Sequence, residues 1–213
     1  MMSLTKSPRN RKGFTLVELL TVVAIIGILA GILIPTVGAA VTSAKKAKGR
    51  NQMRQYAVAI QQYKAEYGYY PPIGSLMTTG RAQLDQGTTS RDFISAMSGR
   101  DYQGNELSSS ERRRLNPRAI AFCSFSEQEF YYDETTGETS EYQLADPFGN
   151  RKIQIRTETG NRLGIVQNLG ITAKANRTSQ DYTEVRAPVV VYTLYEGDAE
   201  SREKGYESLL SWE

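Results

Sequence analysis

The chain has 213 residues, 39% of them hydrophobic, a formal net charge of +3, one cysteine and no histidine. That length supports one core of moderate size, or a smaller domain with an appendage. A lone cysteine, Cys123, excludes an intramolecular disulfide, and the lack of histidine removes the commonest general base and zinc ligand.

The positive charge is concentrated at the start, where "MMSLTKSPRNRKG" holds Lys6, Arg9, Arg11 and Lys12 and no acid. Beyond residue 68 acids outnumber bases, so the basic pI is not the footprint of a nucleic-acid-binding domain. From Phe14 to Ile34 the only charged residue is Glu18, and these 21 residues would span about 31 Å as a helix, close to the hydrocarbon thickness of a bilayer. The basic flank predicts residues 1–13 in the cytoplasm and the remainder outside. A secretory signal carries its small cleavage residue after a shorter apolar run; here Gly13 precedes the run. A carboxylate in hydrocarbon costs roughly 2.5–3.5 kcal/mol. Glu18 therefore either pairs with a cation buried in the same setting or snorkels to the interface. Gly27 and Gly31, four residues apart, allow close helix packing, and Pro35 removes a helical hydrogen bond.

The stretch "KGFTLVELLTVVAIIGILAGILIP", Lys12 to Pro35, resembles the N-terminus of type IV pilins and of the pseudopilins of type II secretion systems. The resemblance implies that a prepilin peptidase cuts between Gly13 and Phe14 on the cytoplasmic side and methylates Phe14. It places Glu18 at the family's conserved-position glutamate, whose partner is the α-amino group of Phe14 in a neighbouring subunit. It makes Pro35 the helix break and Gly27 to Pro35 a candidate extensible region. The implied fold class is α+β and pilin-like, with a long N-terminal helix packed on a small antiparallel β-sheet. The implied organisation is a leader (1–13), a hydrophobic transmembrane and assembly helix (14–35), the amphipathic half of the same helix (36–70) and a globular domain (71–213). The implied partners are the prepilin peptidase, identical or related pilin subunits in a helical filament, and inner-membrane assembly machinery. The implied location is the inner membrane, single-pass, with the C-terminal domain outside the cytoplasm.

After Pro35 the residues favour helix, and Met53, Tyr56, Ala57, Ile60, Tyr63 and Tyr67 form an apolar stripe broken only by Lys64. "GYYPP" ends it, with Gly68 as C-cap and Pro71 and Pro72 unable to continue. The lysines at 45, 46 and 48 read as a solvated face or headgroup contact. Farther on, "RDFISAM" (91–97) predicts a short helix, and the serines before Glu111 are cap-competent. Strands are predicted at 119–125, 152–157 and 188–195, joined as antiparallel hairpins through turn chemistry at "ADPFGN" and "TETGN". The run "YYDETTGETSEY", with Asp133, Glu134 and Glu138, reads as a loop.

"DPFGN" is similar to the Asp-Pro-Trp-Gly element of major pseudopilins, with Phe148 in place of tryptophan; a simple β-turn accounts for it equally. Calcium is the one cofactor the resemblance raises, through a C-terminal loop outlined here by Asp198 and Trp212. Ser208 stands where a ligating aspartate is expected, however, and calcium takes six to eight oxygens, so no metal ligand is assigned. Cys123 has no histidine to activate it and is assigned to packing. No nucleophile, phosphate loop or ligand cluster points to an enzyme.

Two functions remain. One is a structural subunit polymerising through its N-terminal helix. The other is a membrane-anchored or filament-tip module whose acidic domain recognises a protein or glycan. DNA would lean on "ERRRLNPR" (111–118), a short basic run better read as a helix surface.

Overall fold

Helix formers without a stop signal before Gly68 fold as one helix, α1 (Leu16–Tyr67), in a computed structural model. It describes residues 14–85, 87–133, 135–160, 162–176, 178, 180–195 and 207–213, with the backbone alone at 34–36, 141 and 176. The chain divides into two compact units, one up to Ser43 and the other from Ala44 to Glu213. In the first, the described residues form only the N-terminal part of α1. The second holds α2 (Leu76–Thr79), β1 (Arg81–Gln83), α3 (Gly87–Ser98), α4 (Ser109–Leu115), β2 (Phe130–Asp133) and β3 (Glu138–Leu144). These are followed by β4 (Gln154–Thr157), β5 (Val166–Ile171), α5 (Ala173–Asn176), β6 (Tyr182–Val185), β7 (Val189–Thr193) and β8 (Leu209–Leu210). Long apolar helix and small antiparallel sheets together make an α+β, pilin-like fold.

The stripe on the second half of α1 is buried as its spacing predicts: Met53, Tyr56, Ile60 and Tyr63 retain no exposed surface. Side chains of this size contribute roughly 1.5–3 kcal/mol each when fully buried. Their cover is more than a sheet, since α3 adds Phe93 and Met97, α4 adds Leu115, and the sheet region adds Ile153, Ile155, Val189, Val191 and Leu209. Gly68, at φ +79°, ends the helix with its N–H donating to the Lys64 carbonyl at 2.8 Å. Lys64, the interruption in the stripe, is paired with Glu158 and hydrogen-bonded to Tyr70. Residues 108–115 also follow the sequence, because Ser108 and Glu111 form a reciprocal capping box at the start of α4.

The main sheet has the antiparallel order β1-β4-β7-β8, and β2–β3 and β5–β6 form separate two-stranded hairpins. β7 is buried along its whole length because its two faces serve two cores. Val189 and Val191 join the α1 cluster, whereas Val190 and Tyr192 join a second cluster with Val166, Ile171, Tyr182 and Leu210. Strand alternation alone produces this division.

Three sequence expectations are corrected. Residues 119–125 are not a strand: Ala119 takes φ +52°, and Asn116 folds the chain back by accepting from Ile120 N–H and donating to Ile120 O. Asn116 is fully buried and fully used, also donating to Ala96 O and accepting from Tyr67. The apolar residues Phe122, Cys123 and Phe125 then pack on the core from an irregular segment. The run at 131–142 is not a loop but most of the β2–β3 hairpin, in which Asp133 pairs with Glu138. Thr135 N–H donates to the Asp133 carboxylate at 2.8 Å and Gly137 N–H to its carbonyl, so polar side chains close the turn. Finally, "TETGN" does not join a hairpin, because both edges of β4 are already occupied by β1 and β7.

The basic run on α1 is likewise more engaged than a solvated face. Lys46, Arg50 and Arg54, each four residues apart, meet the segment 207–213: Lys46 pairs with Glu207 at 3.0 Å, Arg50 with Glu213 at 3.0 Å, and Arg54 donates to Ser211 O at 3.4 Å. Lys48 donates to Gln128, while Lys45 stays exposed. Between them Gly49 forms a notch, since a Cβ there would collide with Leu209 Cδ1 and stand 3.1 Å from Pro147 Cδ. Gly49→Val should therefore displace β8 and cost about 2–3 kcal/mol by overpacking, read as a lower denaturant midpoint of the detergent-solubilised chain; an unchanged midpoint would mean that segment 207–213 does not dock on this notch.

The "ADPFGN" turn is built around a buried carboxylate. Asp146 accepts from Phe148 N–H (2.9 Å) and Asn150 N–H (3.0 Å) on one oxygen and from Thr193 Oγ1 (2.7 Å) on the other. Burial outweighs these bonds and pushes its carboxyl up to about 6 from an ordinary 3.8. The folded chain thus holds this proton more tightly than the unfolded chain. The corresponding stability is fully present below the unfolded pKa and is lost as pH rises through about 6, an effect on the order of 3 kcal/mol. Denaturant titrations across that window should show this decline in the natural chain and a flatter profile in Asp146→Asn; parallel profiles would clear Asp146 as its source.

Candidate assembly segment

Phe14 precedes the first turn of α1 and is 79% exposed. From Leu16 to Leu33 the large apolar side chains stay uncovered on every side of the helix, with Leu16 78% and Ile32 62% exposed. The chain's own fold buries none of the most apolar window, which is long and apolar enough to cross a membrane. An uncovered apolar surface of this extent marks a membrane or protein contact.

Glu18 is the one charge in this surface, and the helix start supplies its nearest partners. Thr15 N–H donates to Glu18 Oε2 at 2.9 Å, Thr15 Oγ1 donates to the same oxygen at 2.7 Å, and Glu18 N–H donates back to Thr15 Oγ1 at 3.2 Å. This is a capping box: the N-terminal N–H groups of a helix have no intrahelical acceptor, and threonine followed three residues later by glutamate satisfies them reciprocally. Thr15 is a site residue that the sequence reading overlooked, although "TLVE" carries the signal. Thr21 Oγ1 donates to Glu18 O at 3.0 Å, so this hydroxyl too is satisfied within the helix.

The predicted site residues are thus only partly brought together. Phe14 and Glu18 flank the same first turn, while Gly13, with the scissile bond, lies outside the described residues. Pro35 lies farther along α1, whose backbone is helical on both sides of it and through it. Among other residues weighed from the sequence, Asp198 and Glu134 lie outside the described residues. Ser208 is buried, its Oγ accepting from Tyr195 N–H at 2.6 Å. Burial pushes the Cys123 thiol up to about 12, with the Glu129 carboxylate adding to the shift, so the thiolate is disfavoured. Asp133 is held below its ordinary range, chiefly by Thr135 N–H. Of the arginines in "ERRRLNPR", Arg114 is paired with Asp92 and Arg118 with Glu66.

Comparison with known proteins bears on this same segment. The family described as the prokaryotic N-terminal methylation motif matches residues 8–34. The chain is 36% identical over 63 residues to the type II secretion system core protein G of Pseudomonas aeruginosa. The chain belongs to the pilin and pseudopilin family. The match takes in 30% of this chain and spans 44% of that relative's length. No solved structure matches. The family motif and the capping box overlap at Thr15 and Glu18, so the same two residues close the helix start and lie within the matched segment.

Loss of the cap has a local signature in this pilin-like helix. Thr15→Val should cost about 1 kcal/mol of helix-start stability. Amide hydrogen exchange in detergent micelles should quicken in the first turn after Thr15 and stay unchanged beyond the second; equal protection in both forms would show that Thr15 does not cap α1.

Proposed function

We propose that the chain is a structural subunit of a type IV pilus-like or type II secretion pseudopilus filament, with the pseudopilus favoured. The observation that carries the reading is the fully uncovered apolar helix surface from Leu16 to Leu33, interrupted by a single carboxylate and lying inside the methylation-motif match. A prepilin peptidase cuts between Gly13 and Phe14, Phe14 is methylated, and the apolar helix stays with the protein in the inner membrane. The basic residues of the leader orient it with residues 1–13 inside and the domain outside. Subunits then leave the bilayer for a filament in which the apolar surfaces of neighbouring helices cover one another.

Glu18 supports this order of events on energetic grounds. Its bonds to Thr15 supply neutral donors but no cation, and a carboxylate at membrane depth costs roughly 2.5–3.5 kcal/mol. The α-amino group of Phe14 in an adjacent subunit neutralises it in the filament. Pro35, which cannot donate a helical hydrogen bond, makes Gly27 to Pro35 the stretch of α1 that yields first when neighbouring helices compete for it. A single cysteine leaves no disulfide to tie the C-terminal region, which tilts the assignment toward a pseudopilin.

Co-production of natural and Glu18→Ala chains in a host with the peptidase and assembly machinery tests this. The expected result is an N-terminal mass beginning at Phe14 for both forms, with incorporation of Glu18→Ala into sheared filaments reduced about tenfold or more, as for an ion pair lost from an apolar setting. Equal incorporation, or no cut at Gly13, would leave a membrane-anchored binding domain in place of a polymer subunit.

A further inference from the structure

We propose that the open cleft lined by Tyr102, Gln103, Glu127, Phe130, Thr139 and Ser140 receives Arg112 and Arg113 of a second copy of this chain. The contact rests on the filament reading above and names the domain surfaces that meet in it. Glu127 is the one charged side chain of this lining, and it is exposed. Two aromatic side chains beside a carboxylate attract a guanidinium by cation–π and ionic terms together. Tyr102 already takes part in such chemistry within its own chain, since the Arg91 guanidinium lies 4.8 Å from its ring centre and 4.0 Å from that of Tyr142.

The complementary cations lie on α4. Arg114 is satisfied twice over by Asp92, at 2.7 Å to each oxygen, and Arg118 is paired with Glu66. Arg112 and Arg113 are exposed and have no carboxylate partner among the described residues.

The two patches also sit at different heights along α1. Lys48 to Gln128 and Tyr56 to Glu129 hold the Glu127–Phe130 edge beside the first turns of this unit's share of the helix. Tyr63 donating to Leu115 O, and the Arg118–Glu66 pair, hold α4 beside its end. At 1.5 Å per residue the offset is about 10–25 Å. Complementary patches on different parts of one subunit make a head-to-tail contact, which propagates as an open helix instead of closing a dimer. Parallel helices in a filament bring the α4 end of one copy level with the cleft of the next.

The test uses the full chain in a host that assembles it. Glu127→Arg alone, and Arg112→Glu with Arg113→Glu, should each lower the yield of sheared filaments about fivefold or more through like-charge contact, and all three together should restore most of it. In a Cys123→Ser background, copies carrying Gln103→Cys co-assembled with copies carrying Arg113→Cys should form a mixed disulfide dimer on oxidation. Unchanged yields in the single swaps, failure of the combined swap to rescue, or no mixed dimer from intact filaments would overturn the contact while leaving the polymer standing. Absence of filaments from the natural chain would overturn both.

Discussion

The constraint on which the rest depends is that one helix carries two apolar surfaces that must be covered in different ways. The stripe from Met53 to Tyr63 is covered by the chain's own domain, whereas the residues from Leu16 to Leu33 have no cover within the chain. The first surface is a single face and suits a core. The second runs around the whole helix and suits lipid or other helices of the same kind. Everything beyond Tyr67 serves the first surface, with α3 and the aromatic residues after Asn116 on one flank and the main sheet on the other.

Polar groups specify how that domain closes. Asn116 spends all its hydrogen-bonding capacity turning the chain after α4. Glu129 accepts from Tyr56 at 2.5 Å and from Ser126 at 3.0 Å, fixing the entry to β2 against α1. Asp146 does the same for the turn before β4. Each of these groups is buried and bonded, which makes their removal costly and the register of the surrounding segments unique. The segment 207–213 completes the domain by filling the Gly49 notch and placing Leu209 in one cluster and Leu210 in the other.

This arrangement separates the roles of the parts. The N-terminal surface, with its capped first turn, is suited to membrane residence and assembly, and the folded unit determines which side chains stand on the outside. The arginines left over from α4 and the aromatic cleft are products of that folding, since their neighbours Arg114 and Arg118 are consumed by partners within the chain.

The amino-acid sequence by itself determined the elements whose signals are local. The apolar run with Glu18, the stripe at three- and four-residue spacing, the Gly68 stop, the Ser108 cap and the alternation around Ile153 and Ile155 all follow from periodicity and capping, which act within a few residues. The "TLVE" cap was legible too, but was masked by attention to the membrane cost of its glutamate. Only the tertiary structure decided whether 119–125 would be a strand, that the polar run at 131–142 would pair, which strands would be neighbours, and that Lys46, Arg50 and Arg54 would hold residues 207–213. Those outcomes depend on partners between about 14 and 165 positions away in the chain. A residue's own neighbours carry no record of such partners.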